Sequence, residues 1–147
     1  MADSGPGRLS AWALTLEAAL LLVLARALIA MVSFGSWRHW LGRLQASGTA
    51  ASGDTVPMAQ DWRIASAVER ACWRLRPLAM KCLPRAMALH WMLQRRNRPS
   101  VLALAILAPQ ARGTLDDLHA WVEVGTAVLI GASEKPYAVL ARFGSGN

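Results

Sequence analysis

Residues 81–108 read KCLPRAMALHWMLQRRNRPSVLALAILA, and the apolar period changes inside this stretch. Ala86, Leu89 and Leu93 recur at helical spacing, and Pro84 sits where a first helical turn tolerates a missing N–H. Asn97 and Pro99 close that helix. From Val101 to Ala108 the run is short, continuous and apolar, and it stops at Pro109. That combination predicts a central strand. Cys82 therefore falls at or just before a helix N-terminus.

Upstream, Asp61–Arg76 carries Ile64, Ala65, Val68, Cys72 and Leu75 as one helical stripe that ends at Pro77. Arg63, Arg70 and Arg74 fall mostly away from it. Downstream, a polar loop over residues 109–118 precedes HAWVEV (119–124) and AVLIG (127–131). These two runs flank Gly125–Thr126, a tight hairpin turn. YAVLARF (137–143) reads as a last strand. Two helices followed by three or four antiparallel strands make an α+β domain.

The N-terminal third is different. Trp12–Val32 has 21 residues, long enough to cross a bilayer, but Glu17 and Arg26 lie inside it. Each such charge costs roughly 2.5–3.5 kcal/mol at a membrane helix centre. Glu17 also interrupts the apolar region that a secretory signal requires. A buried or partner-docking helix is the favoured reading, with membrane contact less favoured. Residues 36–44 predict a short amphipathic helix with Trp37, Trp40, Leu41 and Leu44 on one side and His39 without a ligand role. The Gly/Ser-rich run 45–57 reads as a linker. The chain thus divides into an apolar helical arm (1–44), a linker (45–57) and a domain (58–147).

With 147 residues, 54% of them apolar, and a mean hydropathy of +0.29, global disorder is excluded. Two cysteines make neither a disulfide scaffold nor a zinc site by themselves, and neither CxxC nor HExxH occurs. No metal or cofactor is expected. The net charge of +7 is concentrated in residues 61–98, which hold nine basic residues against Asp61 and Glu69. Such a face suits an acidic partner or simple solvation, and no nucleic-acid-binding motif accompanies it.

The chemistry candidate is Cys82 with His119. A thiolate is the attacking species, and the unpaired N–H groups and dipole of a helix start favour negative charge. Lys81 and Arg85 act in the same direction, His119 is available as the base, and the same helix start offers oxyanion donors. The residues alone also allow Cys82 to be a capped structural thiol and His119 an edge-strand side chain. Cys72, on an apolar stripe, reads as inert. His90 reads as a packing or surface histidine, and Trp62, Trp73, Trp91 and Trp121 as core. Arg70, Arg74, Arg95, Arg96 and Arg98 face either a partner or water.

CLPRAMALHWMLQRR with its preceding Lys81, the HAWVEV strand 37 residues after Cys82, and the closing YAVLARF resemble the transglutaminase-like leader peptidases of lasso-peptide biosynthesis. The resemblance covers residues 60–143 firmly and the arm loosely. It implies a papain-like transglutaminase core and cysteine-dependent removal of the leader from a ribosomal precursor peptide. It also implies a cytoplasmic setting, a separate winged-helix leader-binding protein and a macrolactam synthetase that closes the ring. Two other readings remain open: a degenerate scaffold or adaptor subunit, and an acyl transferase using the same Cys–His pair.

The third triad member departs from the family pattern, because no Asp follows Asp117. If Val124 pairs with Ala127 across a two-residue turn, His119 lies opposite Ala132, and Ile130, Ala132 and Glu134 share its face. Glu123 is then about 13 Å along the strand and out of reach, at roughly 3.3 Å per residue. The order of expectation is Glu134, then Asp117, then no acid, with a backbone carbonyl or Ser133 orienting the imidazole.

Overall fold

The computed structural model describes residues 6–46, 55–108 and 118–145. Its elements are α1 (Pro6–Met31), α2 (Phe34–Trp37), β1 (Arg43–Gln45), α3 (Ala59–Arg74), α4 (Cys82–Gln94), β2 (Val101–Leu107), β3 (Leu118–Val124), β4 (Ala127–Ile130) and β5 (Tyr137–Gly144). The strands form one antiparallel sheet in the order β1-β5-β2-β3-β4. The architecture is α+β, as the period change predicts.

β2 lies between β5 and β3, and this position explains its unbroken apolar run. Leu102 pairs with Val122 and Phe143 and joins the helical core, while Ala103 and Ala105 are buried without joining it. A strand covered on both faces gains from apolar residues at every position. β3 alternates instead: Ala120, Val122 and Val124 are buried, and His119, Trp121 and Glu123 are half-exposed between them. Glu123 receives hydrogen bonds from Trp121 Nε1 and Arg142 Nη1, both at 2.6 Å, so its carboxylate is engaged away from the imidazole.

The arm is not a separate body. Ala18, Leu22 and Ala25 of α1 are fully buried in the same core as Ile64, Val68, Met87, Leu89 and Met92. Glu17, the charge that argued against a membrane span, accepts a two-pronged bond from Arg96 at 3.0 and 2.6 Å and lies 3.3 Å from Arg95. These arginines tie α1 to the end of α4; Arg96 is largely covered by the contact, while Arg95 stays exposed to water. The predicted helix over residues 36–44 is corrected as well. A 3-10 turn (Arg38–Leu41) gives way to β1, which pairs with β5. Only residues 45, 46 and 55–57 of the linker are among those described. Trp91 is buried as expected, but Trp62 and Trp73 are exposed, because the stripe of α3 turns Ile64, Ala67, Val68 and Ala71 inward in their place.

His90 is fully buried. Its Nε2 meets Leu41 O at 2.7 Å and its Nδ1 meets Ser100 Oγ at 2.8 Å, so the ring links the 3-10 turn, α4 and the start of β2. A carbonyl only accepts, which places the proton on Nε2 and leaves the serine hydroxyl to donate to Nδ1. Burial pushes this histidine down to about 4 from its ordinary 6.5. The unfolded chain therefore binds a proton that the folded chain refuses between those values. Stability should be full above pH 6.5 and fall by about 3 kcal/mol as pH drops to 4. Urea unfolding at stepped pH measures this, and a flat profile across that window would contradict the neutral buried ring.

Candidate active site

α4 begins at Cys82, with Lys81 in extended conformation as the residue before it. The thiol therefore sits among the N–H groups of the first helical turn that have no intrahelical acceptor, those of Cys82 and Leu83, Pro84 having none. Cys82 is half-buried, and its Sγ donates to the carbonyl of Leu118 at 3.7 Å. Leu118 is the residue before His119. The two candidate residues thus meet where the start of β3 passes the start of α4. Both line a cavity of about 520 Å³ with Arg26, Ile29, Ala79, Lys81, Leu83, Pro84 and Leu118.

His119 is held on two sides. Its ring stacks on Tyr137 with centroids 4.9 Å apart and planes 21° from parallel. Its Nε2 lies 2.6 Å from Gly131 O. Since a carbonyl only accepts, Nε2 carries the proton and the neutral ring keeps its basic lone pair on Nδ1. Nδ1 has no hydrogen-bond partner among the described residues. An imidazole with a fixed tautomer and an open basic nitrogen is what proton transfer from a thiol requires.

The acceptor is not Glu134. The hairpin does pair Val124 with Ala127 and Glu123 with Val128, but a bulge follows, and Val122 pairs with Ile130. The additional residue moves Ile130 onto the buried face of Val122, and β4 ends there. The register that brought Glu134 diagonal to His119 does not hold. Glu134 is exposed and makes no hydrogen bond to the ring among the described residues. Ser133 Oγ accepts from the backbone N–H of Lys135 instead. Asp117 lies outside the described residues. The carbonyl arrangement, third in the order of expectation, is the one present.

Gly131 makes that arrangement possible. Its φ is +84°, in the left-handed region, and a Cβ there would stand 2.6 Å from Ala120 O and 2.9 Å from Trp121 Cβ. Only glycine fits so close to β3 with its carbonyl turned to the ring. The sequence signal was a glycine directly after an apolar strand, but the bulge that aims it leaves no residue signature. Tyr137 and the two α1 residues in the cavity wall, Arg26 and Ile29, were missed for a different reason. They are brought in by tertiary packing from both ends of the chain.

Cys72 is in a contrasting setting. Burial pushes its thiol up to about 11, against a smaller opposite influence from Arg85. Arg85 is itself ion-paired with Glu69. At pH 7.5 iodoacetamide should modify Cys82 at least about 100-fold faster than Cys72, read by peptide mapping. Equal, slow labelling of both thiols would remove the case for a nucleophile.

The Transglutaminase-like superfamily model matches residues 21–142, from within α1 to within β5. The chain belongs to the transglutaminase-like superfamily. It matches no curated protein and no solved structure.

Proposed function

We propose that this transglutaminase-like chain is a cytoplasmic cysteine endopeptidase that removes the leader from a lasso-peptide precursor before a separate synthetase closes the macrolactam ring. The observation that carries the peptidase reading is the shared cavity. It holds a thiol at a helix N-terminus and an imidazole whose Nε2–H is held by Gly131 O, with Nδ1 unpartnered among the described residues. The superfamily is home to cysteine-dependent enzymes. The leader-peptidase reading is supported by the resemblance of the Cys82 helix and the HAWVEV strand.

In the proposed mechanism the Cys82 thiol turns from Leu118 O and transfers its proton to Nδ1 of His119. Sγ then adds to the scissile carbonyl carbon, and the oxygen that becomes negative faces the free N–H groups at the start of α4. As the C–N bond breaks, His119 returns the proton to the leaving amine. A water, deprotonated by His119, next attacks the thioester and releases the acid and the free thiol. An amine in place of water gives acyl transfer with the same groups, the second reading of this site. Incubating the full chain with a precursor peptide and reading products by mass spectrometry distinguishes the two. Leader and core fragments with a new carboxylate support hydrolysis. A product joined to an added amine supports transfer, and no product in either arm sinks the enzymatic reading.

A partner is also proposed. Trp12, Leu16, Leu20, Val23 and Leu24 form an exposed apolar stripe on the outer side of α1. The length and hydropathy of this helix would suit a bilayer, yet its inner side is committed to the core and to Arg96. The stripe supports docking of the separate leader-binding winged-helix protein. The lone chain should cleave precursor slowly, and adding that protein should raise the rate at least about tenfold. Leu16→Asp with Leu20→Asp should remove the stimulation and keep the basal rate. Stimulation that survives both changes would place the contact elsewhere, and sedimentation with liposomes by the wild type alone would favour a membrane.

A further inference from the structure

We propose that Arg26 is a carboxylate-binding subsite at the edge of the catalytic cavity, selecting substrates with an acidic side chain close to the bond attacked by Cys82. The proposal rests on the peptidase reading and names a chemical feature of its substrate. Arg26 is one of two charges within the apolar body of α1, and the other, Glu17, is fully engaged by Arg96 and Arg95. Arg26 is exposed and has no hydrogen bond or ion pair among the described residues. It does not belong to the outward stripe. With Ile29, three residues on and therefore on the same side of the helix, it lines the cavity that holds Cys82 and His119.

The surroundings favour an anion. No acidic side chain is among the described lining residues, Lys81 is part of the wall, and the lining includes the N-terminal end of α4 with its positive dipole pole. Most of the remaining lining is apolar: Ile29, Ala79, Leu83, Pro84 and Leu118. A guanidinium beside such a surface is a strong carboxylate receptor, because its planar fork donates two parallel N–H bonds. An arginine with no hydrogen bond or ion pair among the described residues, placed in the cavity of a peptide-cleaving site, is accounted for by a charge on the substrate.

The test uses the full chain and reagents that need no known substrate. Cys82 is alkylated with iodoacetate, which is anionic, and with iodoacetamide, which is neutral, and rates are assigned by peptide mapping with Cys72 as internal reference. At low salt, Arg26→Gln should lower the iodoacetate-to-iodoacetamide rate ratio at Cys82 about threefold, as expected for removal of one charge from a solvent-accessible cavity. Arg26→Glu should lower it further, Arg26→Lys should retain most of it, and salt should shrink the difference. The ratio at Cys72 should stay put. A tripeptide vinyl sulfone series with Asp, Asn or Lys at each position in turn then reads the substrate side. Wild type should label fastest with an Asp-bearing member, and Arg26→Glu should transfer the preference to Lys. An unchanged ratio in both charge variants overturns the proposal. So does a change in the small-reagent ratio with no charge preference in the vinyl sulfones, which would reduce Arg26 to a background field. Uniformly sluggish labelling of Cys82, with a ratio that still falls in Arg26→Gln and Arg26→Glu, would instead count against the peptidase reading and leave Arg26 standing as an anion-attracting group of the cavity.

Discussion

Cys82→Ala should lower turnover by about 10⁴-fold or more while leaving thermal stability within error, because the half-buried thiol makes one long bond to Leu118 O. His119→Ala should cost a similar factor. The double variant should be hardly worse than either single one, since the pair acts as a unit in one proton transfer. Glu134→Gln, by contrast, should stay within about twofold of wild type, as its side chain has no part in holding the ring. Gly131→Ala is the informative backbone change: the added Cβ pushes the loop off β3 and takes away the acceptor of Nε2–H. It should cost turnover more than substrate affinity, because the tautomer is at stake and the cavity wall is not. Measured kcat and KM on one precursor separate these outcomes. Retained turnover in Cys82→Ala would end the nucleophile assignment, and a severe loss in Glu134→Gln would mean that the carboxylate reaches the ring during turnover.

These variants also trace where the site was legible in sequence. Cys82 and His119 are singled out as candidates by a cysteine two residues before a first-turn proline and a histidine opening an alternating strand. Those patterns alone leave a structural thiol and an edge-strand side chain open, and the family resemblance is what favours the pair. Local patterns carry as far as local geometry does. The orienting acceptor depends on a bulge, where one additional residue in β4 reverses which face Ile130 meets. Periodicity arguments assume that no such residue is inserted, so Glu134 followed from sound alternation applied across a break. The arm illustrates a second limit. Its apolar content was plain, but a helix apolar on nearly every side does not say which side is covered. That was settled by Ala18, Leu22 and Ala25 meeting α3 and α4, and by a carboxylate placed to reach Arg96. The arginines at 95, 96 and 98 leave partner and water equally open for the same reason. Ion pairs between residues 37 and 79 positions apart have no signature along the chain.

The more deeply buried of those pairs is Arg98 with Asp61. Arg98→Ala should destabilise the protein by about 3–5 kcal/mol, the usual consequence of leaving a buried charge without its partner. Asp61 has no exposed surface. Its Oδ1 accepts from Arg98 Nε at 2.9 Å, and its Oδ2 accepts from Arg98 Nη2 at 2.6 Å and from the Met58 N–H at 2.8 Å. Burial pushes this carboxyl up, and the Arg98 hydrogen bonds, the Met58 amide and the arginine charge together outweigh it, so the net shift is downward. The wild-type pair therefore contributes stability above the ordinary carboxylate range and loses it as pH falls through the lowered value. In Arg98→Ala the desolvation remains with only the amide to oppose it. The carboxyl then moves up, and the sign inverts. The deficit of the variant relative to wild type should be greatest near pH 7 and narrow towards pH 4.5 as Asp61 takes up a proton. His90 titrates in both proteins and cancels in that difference. Asp61→Leu combined with Arg98→Met should recover most of the loss, since an apolar pair of similar bulk has no charge to desolvate. Urea unfolding of the three proteins at both pH values measures these differences. A loss below about 1 kcal/mol in Arg98→Ala, or a deficit that widens in acid, would show that water reaches Asp61 and that α3 is not anchored by this pair.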